Sequence, residues 1–193
     1  MISMNFNASN ISVVILAGGR GTRVGGIDKG LMPWRGKPLI EYILPGLPKT
    51  SPVFINANRN IERYLQYGLP VVADTLTDYQ GPLAGILSAM TQCKTDYLLC
   101  MPCDSPQPPQ QLAERLFQCM QQANKSSAIC HDGQRLQPLF ALMSRTLQPQ
   151  LENWLASGQR KVELFFTEVE SAVCDFSDQP QCFHNFNTPE DMK

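Results

Sequence analysis

Ser12-Val13-Val14-Ile15-Leu16-Ala17-Gly18-Gly19-Arg20-Gly21-Thr22-Arg23-Val24-Gly25-Gly26-Ile27-Asp28-Lys29 joins an apolar, β-branched run to a loop that holds five glycines and three cations. The run reads as a buried strand. The glycines let the chain turn sharply at the strand's end and bring bare backbone N–H groups against an anion. Arg20, Arg23 and Lys29 add the positive charge that a polyphosphate demands.

The spacing of the loop excludes three better-known phosphate motifs. A dinucleotide-binding fingerprint needs a glycine three positions after its second one, and after Gly19-Arg20-Gly21 that place is taken by Val24. A P-loop needs Gly-Lys followed by Ser or Thr, and no glycine here precedes such a pair. A kinase-type loop fails on the same glycine spacing, and neither His-Arg-Asp nor Asp-Phe-Gly occurs.

Outward from the loop, strand-like and helix-like segments alternate. Strands are expected over 13–17, 53–57, 71–73 and 97–101, with helices over 39–44, 61–67 and 83–93 between them. Pro45 and Pro48 end the first helix; Gly68 and Pro70 end the second. The second half predicts helices over 109–123, 147–156 and 162–169 and strands over 128–131, 139–143 and 172–176. This alternation predicts an α/β fold, a mostly parallel central sheet with helices on both faces. Ligands of such sheets gather beyond the carboxyl ends of the strands. Asn56 and Asn58, Asp74 and Asp104 therefore join the glycine loop as the residues to question.

The 193 residues suit one domain spanning 1–193, with 1–11 a flexible N-terminal extension. Apolar residues make up 43% and charged residues 17%, and the net charge is −1, which supports neither a nucleic acid nor a membrane partner. The first residues carry no basic start and no apolar stretch of the signal type, so a cytoplasmic location is expected. Seven cysteines suit a reducing compartment. Cys100 and Cys103 have redox or zinc spacing, but no second such pair completes a tetrahedral site, and Pro106, Pro108 and Pro109 delay the helix a redox motif would open. His131 and His184 stand alone and are read as structural or solvent-facing.

Phosphoryl chemistry at a strand edge needs positioning and charge more than a protein nucleophile. Asp104, closing the run 97–104, is a hard oxygen ligand that can hold Mg²⁺ between phosphoryl oxygens; by position alone it reads equally well as a turn aspartate. Lys29 can reach triphosphate oxygens as a mobile point charge, and Arg23 can grip a phosphate with two hydrogen bonds. The carboxylate of Asp74 can accept both N1–H and N2–H₂ of guanine, or it can cap a turn. Gly81 and Pro82 feed a helix whose N-terminus can meet an acceptor phosphate. Asn185 and Asn187 offer amides to a polar heterocycle, and all four also fit ordinary turn chemistry.

Leu16-Ala17-Gly18-Gly19, Arg23, the stretch 25–31 and Gly36-Lys37-Pro38-Leu39 resemble the opening of nucleotidyltransferases. Ile55-Asn56-Ala57-Asn58-Arg59, Gly81-Pro82-Leu83-Ala84-Gly85, Pro102-Cys103-Asp104-Ser105-Pro106 and Phe186-Asn187-Thr188-Pro189-Glu190 resemble, in that order, the molybdenum cofactor guanylyltransferase branch. The resemblance implies a three-layer Rossmann-like nucleotidyltransferase fold. It also implies transfer of GMP from GTP to Mo-molybdopterin, with release of pyrophosphate. It implies nucleotide contacts through the backbone at Leu16, Ala17 and Gly18 and through the side chains of Lys29, Asn56 and Asp74. Asp104 becomes the Mg²⁺ ligand, with Arg23 and Lys29 as its catalytic companions. Protein partners would be cofactor-insertion enzymes or molybdoenzyme chaperones, and the protein itself a monomer. Gln137-Pro138 stands where the branch often has His-Pro, and Val24 where it often has Met. The rival readings are a cytidylyltransferase on the same pterin, a sugar-phosphate nucleotidyltransferase, and a non-catalytic nucleotide-binding protein.

Overall fold

The computed structural model describes residues 6–17, 28–76, 80–186 and 191. The opening run forms strand β1 (Ile11–Leu16), and every residue of it is buried. A strand covered on both faces needs apolar side chains on both. Accordingly Val13 and Ile15 enter one core with Leu99, Met101 and Leu116, whereas Val14 and Leu16 enter a second with Leu83, Ile86 and Leu98.

The remaining elements follow in chain order. A small hairpin, β2 (Pro33–Trp34) and β3 (Lys37–Pro38), leads to α1 (Ile40–Ile43), β4 (Val53–Asn56), α2 (Ile61–Leu65), β5 (Val71–Val72) and α3 (Pro82–Gln92). Then come β6 (Tyr97–Pro102), α4 (Leu112–Gln122), β7 (Ser127–His131), β8 (Leu136–Ser144), α5 (Gln148–Ala156), α6 (Val162–Glu168) and β9 (Ala172–Asp175). Among the described residues seven strands make the main sheet, in the order β5-β4-β1-β6-β8-β7-β9. The ladders β5-β4-β1-β6 and β7-β9 are parallel; β8 alone runs against its neighbours β6 and β7. Side chains of α1, α2 and α4 fill the first core and those of α3, α5 and α6 the second, so helices cover both faces of the sheet. This is the expected three-layer α/β architecture with a mostly parallel sheet.

Several bounds differ from the sequence expectation for physical reasons. The helix expected over 109–123 begins only at Leu112, because Pro106, Pro108 and Pro109 disfavour helical geometry in the residues before them and Gln111 takes a left-handed φ of 54°. Strand β8 reaches back to Leu136, past Pro138. Its ladder to β6 ends at Cys100↔Ala141, and the ladder to β7 shifts register between Ile129 and Cys130, so the proline sits where a missing N–H is tolerated. The β2–β3 hairpin turns on Arg35 and Gly36, both at positive φ, as the twist of a tight hairpin requires. At the start of the described chain Phe6 packs edge-on against Phe117, Ser51 Oγ donates to the Ala8 carbonyl, and β1 starts at Ile11.

Candidate active site

The strands that bear the questioned residues end at one level. Leu16 pairs with Asn56 and with Pro102, and Asn56 pairs with Val72. Beyond that rank Ala17 N–H donates to the Asn56 carbonyl at 2.8 Å and Cys103 N–H to the Leu16 carbonyl at 3.1 Å. The backbone of Leu16 and Ala17 thus lies between Asn56 on one side and the chain leading to Asp104 on the other. Gly18 and Arg23 lie outside the described residues.

At the β6 end Lys29 Nζ meets Asp104 Oδ2 at 3.0 Å, with the two side chains 29% and 16% exposed. The lysine opens a 3₁₀ turn, Lys29–Leu31, and both its neighbours are tightly packed. Asp28 is buried, and its carboxylate accepts from Tyr64 Oη at 2.5 Å and from Asn60 Nδ2 at 3.0 Å. Gly30 leaves no room for a side chain, since a Cβ there would stand 2.6 Å from Tyr64 Oη. Burial, reinforced by the neighbouring Cys103 and Asp28, pushes the Tyr64 phenol far above its usual range, so it stays a donor.

At the β5 end the Asp74 carboxylate accepts from Asn56 Nδ2 and Asn58 Nδ2, each at 2.8 Å, and the Asp74 N–H donates to Asn58 Oδ1 at 2.7 Å. Asn56 Nδ2 also donates to the Val72 carbonyl at 3.0 Å. Each carboxylate oxygen keeps a second lone-pair direction for a ligand. The next residue is tied down as well: Thr75 N–H donates to Ser88 Oγ at 2.9 Å, and the buried Ser88 Oγ donates to the Ala84 carbonyl. Helix α3 presses on this cluster through Gly85, whose missing Cβ makes space for the Asn56 amide.

The residues expected at the acceptor are divided. Gly81 and Pro82 start α3 on the Asn56 side, with Gly81 at a φ of 86°. Asn185 lies on the Asp104 side: Ser105 Oγ donates to Asn185 Oδ1 at 2.8 Å, and Phe186 N–H donates to the Asp104 carbonyl at 2.8 Å. Phe186 also packs, its ring tilted and 4.9 Å away between centroids, on Trp34 of the β2–β3 hairpin, which brings that hairpin to the same side. Asn187 lies outside the described residues. Gln137 is buried and donates from Nε2 to Asp132 Oδ2 at 2.7 Å. Cys100 and Cys103 are both buried, and burial pushes both thiols up, which suits packing and not redox or metal chemistry. His131 Nδ1 accepts the Gly133 N–H.

Asp104 fits a hard cation. Among the described residues no group of three or more His, Cys, Asp or Glu side chains converges as a metal cage. A cation held by Asp104 would therefore take its remaining ligands from phosphate oxygens and water, the usual habit of Mg²⁺. Sequence reasoning missed Asp28, Asn60, Tyr64 and Gly85 as parts of this site. Asp28 carried a signal, its place beside Lys29. Tyr64 carried none, since it reads as one more apolar residue of a helix.

A family model for the MobA-like NTP transferase domain matches residues 13–171. The chain is 44% identical over 188 residues to the molybdenum cofactor guanylyltransferase of Photobacterium profundum, covering 97% of this chain and 96% of that one. It is 47% identical over 184 residues to the molybdenum cofactor guanylyltransferase of Mannheimia succiniciproducens, covering 94% and 96%. The chain belongs to the molybdenum cofactor guanylyltransferase family. The fold of this guanylyltransferase family member is that of the molybdopterin-guanine dinucleotide biosynthesis protein A of Archaeoglobus fulgidus, at a TM-score of 0.78, 22% identity and 94% coverage of each chain. The same fold carries the 4-diphosphocytidyl-2C-methyl-D-erythritol synthase of Anaerococcus prevotii, at a TM-score of 0.69 and 12% identity.

Proposed function

We propose that this family member transfers GMP from GTP to the terminal phosphate of Mo-molybdopterin, giving molybdopterin guanine dinucleotide and pyrophosphate. The observation that carries the reading is the placement of two unlike sites on one sheet edge. The ion pair Lys29–Asp104 stands beyond β6, and the amide-framed Asp74 stands beyond β5. Three interstrand spacings separate those strands, about 14 Å, which is the reach of one nucleoside with its phosphates. Asp74 and Asn56 would hold the nucleoside, the backbone of Leu16, Ala17 and Gly18 the sugar and phosphates between, and Lys29 and Arg23 the phosphate charge. An acceptor phosphate oxygen attacks the α-phosphorus as the bond from that phosphorus to the bridging oxygen of pyrophosphate breaks. That phosphate is already ionised near neutral pH, so a general base is dispensable. Asp104 would hold Mg²⁺, which when bound neutralises phosphate charge. Asn185, with Asn187, would meet the pterin on the Asp104 side, and Gly81 and Pro82 the acceptor phosphate.

We further propose hand-over between this enzyme and cofactor-insertion enzymes or molybdoenzyme chaperones in the cytoplasm. No helix among the described residues is long and apolar enough to cross a membrane. The test supplies Mo-molybdopterin, Mg²⁺ and either GTP or CTP and follows pyrophosphate. Turnover with GTP, its loss on chelating the metal, and a drop of roughly a hundredfold in kcat for Asp104→Asn are expected. Turnover with CTP while GTP stays inert would overturn the guanylyl assignment.

A further inference from the structure

We propose that Asp28, gripped by Tyr64 and Asn60, is a positioning residue that presents the Lys29 ammonium to Asp104 and to the phosphates. The inference rests on the phosphate-binding role proposed for Lys29 and adds residues which that role does not name.

Asp28 is only 7% exposed, and both of its carboxylate oxygens are occupied by protein donors. Its burial, unlike the half-exposed setting of Asp74, closes it off from a substrate, so it acts through its neighbours. A buried carboxylate is costly unless donors meet it, and here two do. Both come from one element: Tyr64 lies within α2 and Asn60 precedes it at a left-handed φ of 52°. The grip therefore fixes the start of the Lys29–Leu31 turn to α2. The turn closes on the same residues, with Leu31 N–H donating to the Asp28 carbonyl at 3.1 Å and Met32 N–H to the Lys29 carbonyl at 3.0 Å.

The other flank is equally constrained. Gly30 lies against Tyr64 Oη and the Cys103 side chain, with no space for a methyl group. Tyr64 thus touches the residue before Lys29 and the residue after it. Lysine is a point charge on a flexible four-carbon stem, and its aim depends on where its backbone is held. Cys103, which flanks Gly30, precedes Asp104, so Tyr64, Gly30 and Cys103 also set the spacing between the two halves of the ion pair.

The test is a double-mutant cycle on the full chain. Tyr64→Phe removes one hydroxyl and keeps the ring; Lys29→Ala removes the ammonium; far-UV circular dichroism checks that each variant folds. Equilibrium binding of inorganic triphosphate is the first readout and kcat/KM for GTP the second. Tyr64→Phe is expected to weaken both about tenfold in the Lys29 protein and less than about twofold in the Lys29→Ala protein, because residues acting through one another are not additive. Losses that simply add overturn the proposal, since a purely structural Tyr64 would act regardless of Lys29. Asp28→Asn should reproduce the Tyr64→Phe loss, and a folded Asp28→Asn protein that binds triphosphate like the parent overturns it as well. A parent that binds triphosphate but transfers no GMP sinks the guanylyltransferase reading and leaves the binding cycle to decide this inference. A parent that binds no triphosphate overturns the inference itself.

Discussion

At Gly85 the absence of one methyl group decides where the Asn56 amide can sit. A Cβ there would lie 2.7 Å from Asn56 Cγ and 3.1 Å from its Nδ2. The amide cannot retreat without breaking its bonds to Asp74 and to the Val72 carbonyl. Gly85→Ala is therefore expected to lower stability by about 1–3 kcal/mol, the usual cost of overpacking, and to raise KM for GTP. Urea denaturation and steady-state kinetics check both, and a variant matching the parent in either would contradict the contact. Single residues also show what the sequence could convey. Asn56, Asp74 and Asp104 were legible because each stands at or just beyond the end of a strand whose apolar run is plain. Gly85 and Tyr64 were not, because their effect comes from touching Asn56 and Asp28, which no local pattern links to them.

The connection between β7 and β8 shows an element held by one side chain. The Asp132 carboxylate accepts the N–H groups of Gln134 and Arg135, each at 2.8 Å, and the Gln137 amide at 2.7 Å. Burial alone would raise its pKa, but those donors, with the charge of Arg135, bring it below the usual 3.8. A carboxyl whose pKa is depressed on folding stabilises the protein above its unfolded value and loses that contribution as pH falls through the folded one. The stability gap between the parent and Asp132→Asn is thus expected to be full at pH 7 and to close as the pH falls below about 3.8. Urea midpoints across that range measure it; a gap constant with pH would refute the assignment. The strand bounds themselves were only partly legible. The apolar run 139–143 marks the middle of β8, but its start at Leu136 depends on a register shift in β7, a property of the pair and not of either sequence.

Across the molecule, one continuous sheet separates two cores, and both draw on alternate residues of β1 and β6. Neither core can lose its sheet face while the other stays intact. Equilibrium unfolding should accordingly be a single transition, with far-UV and near-UV circular dichroism coinciding along a urea titration; two separated transitions would show that the cores are independent. The alternation of strand and helix made this layered plan legible early, whereas the reversal of β8 was hidden because direction leaves no mark on a strand's composition. The contacts of the site also span the chain. Lys29 meets a partner 75 positions later, and Ser105 one 80 positions later. On the ribosome, then, the glycine loop emerges early and waits. Its charge partner arrives with β6, and the segment that lies on Asp104 arrives later still, at Asn185 and Phe186. A nascent chain that stops short of those residues leaves the Asp104 carbonyl and the Ser105 hydroxyl without these partners, so the turn that carries Asp104 is tied down only once that segment has been made.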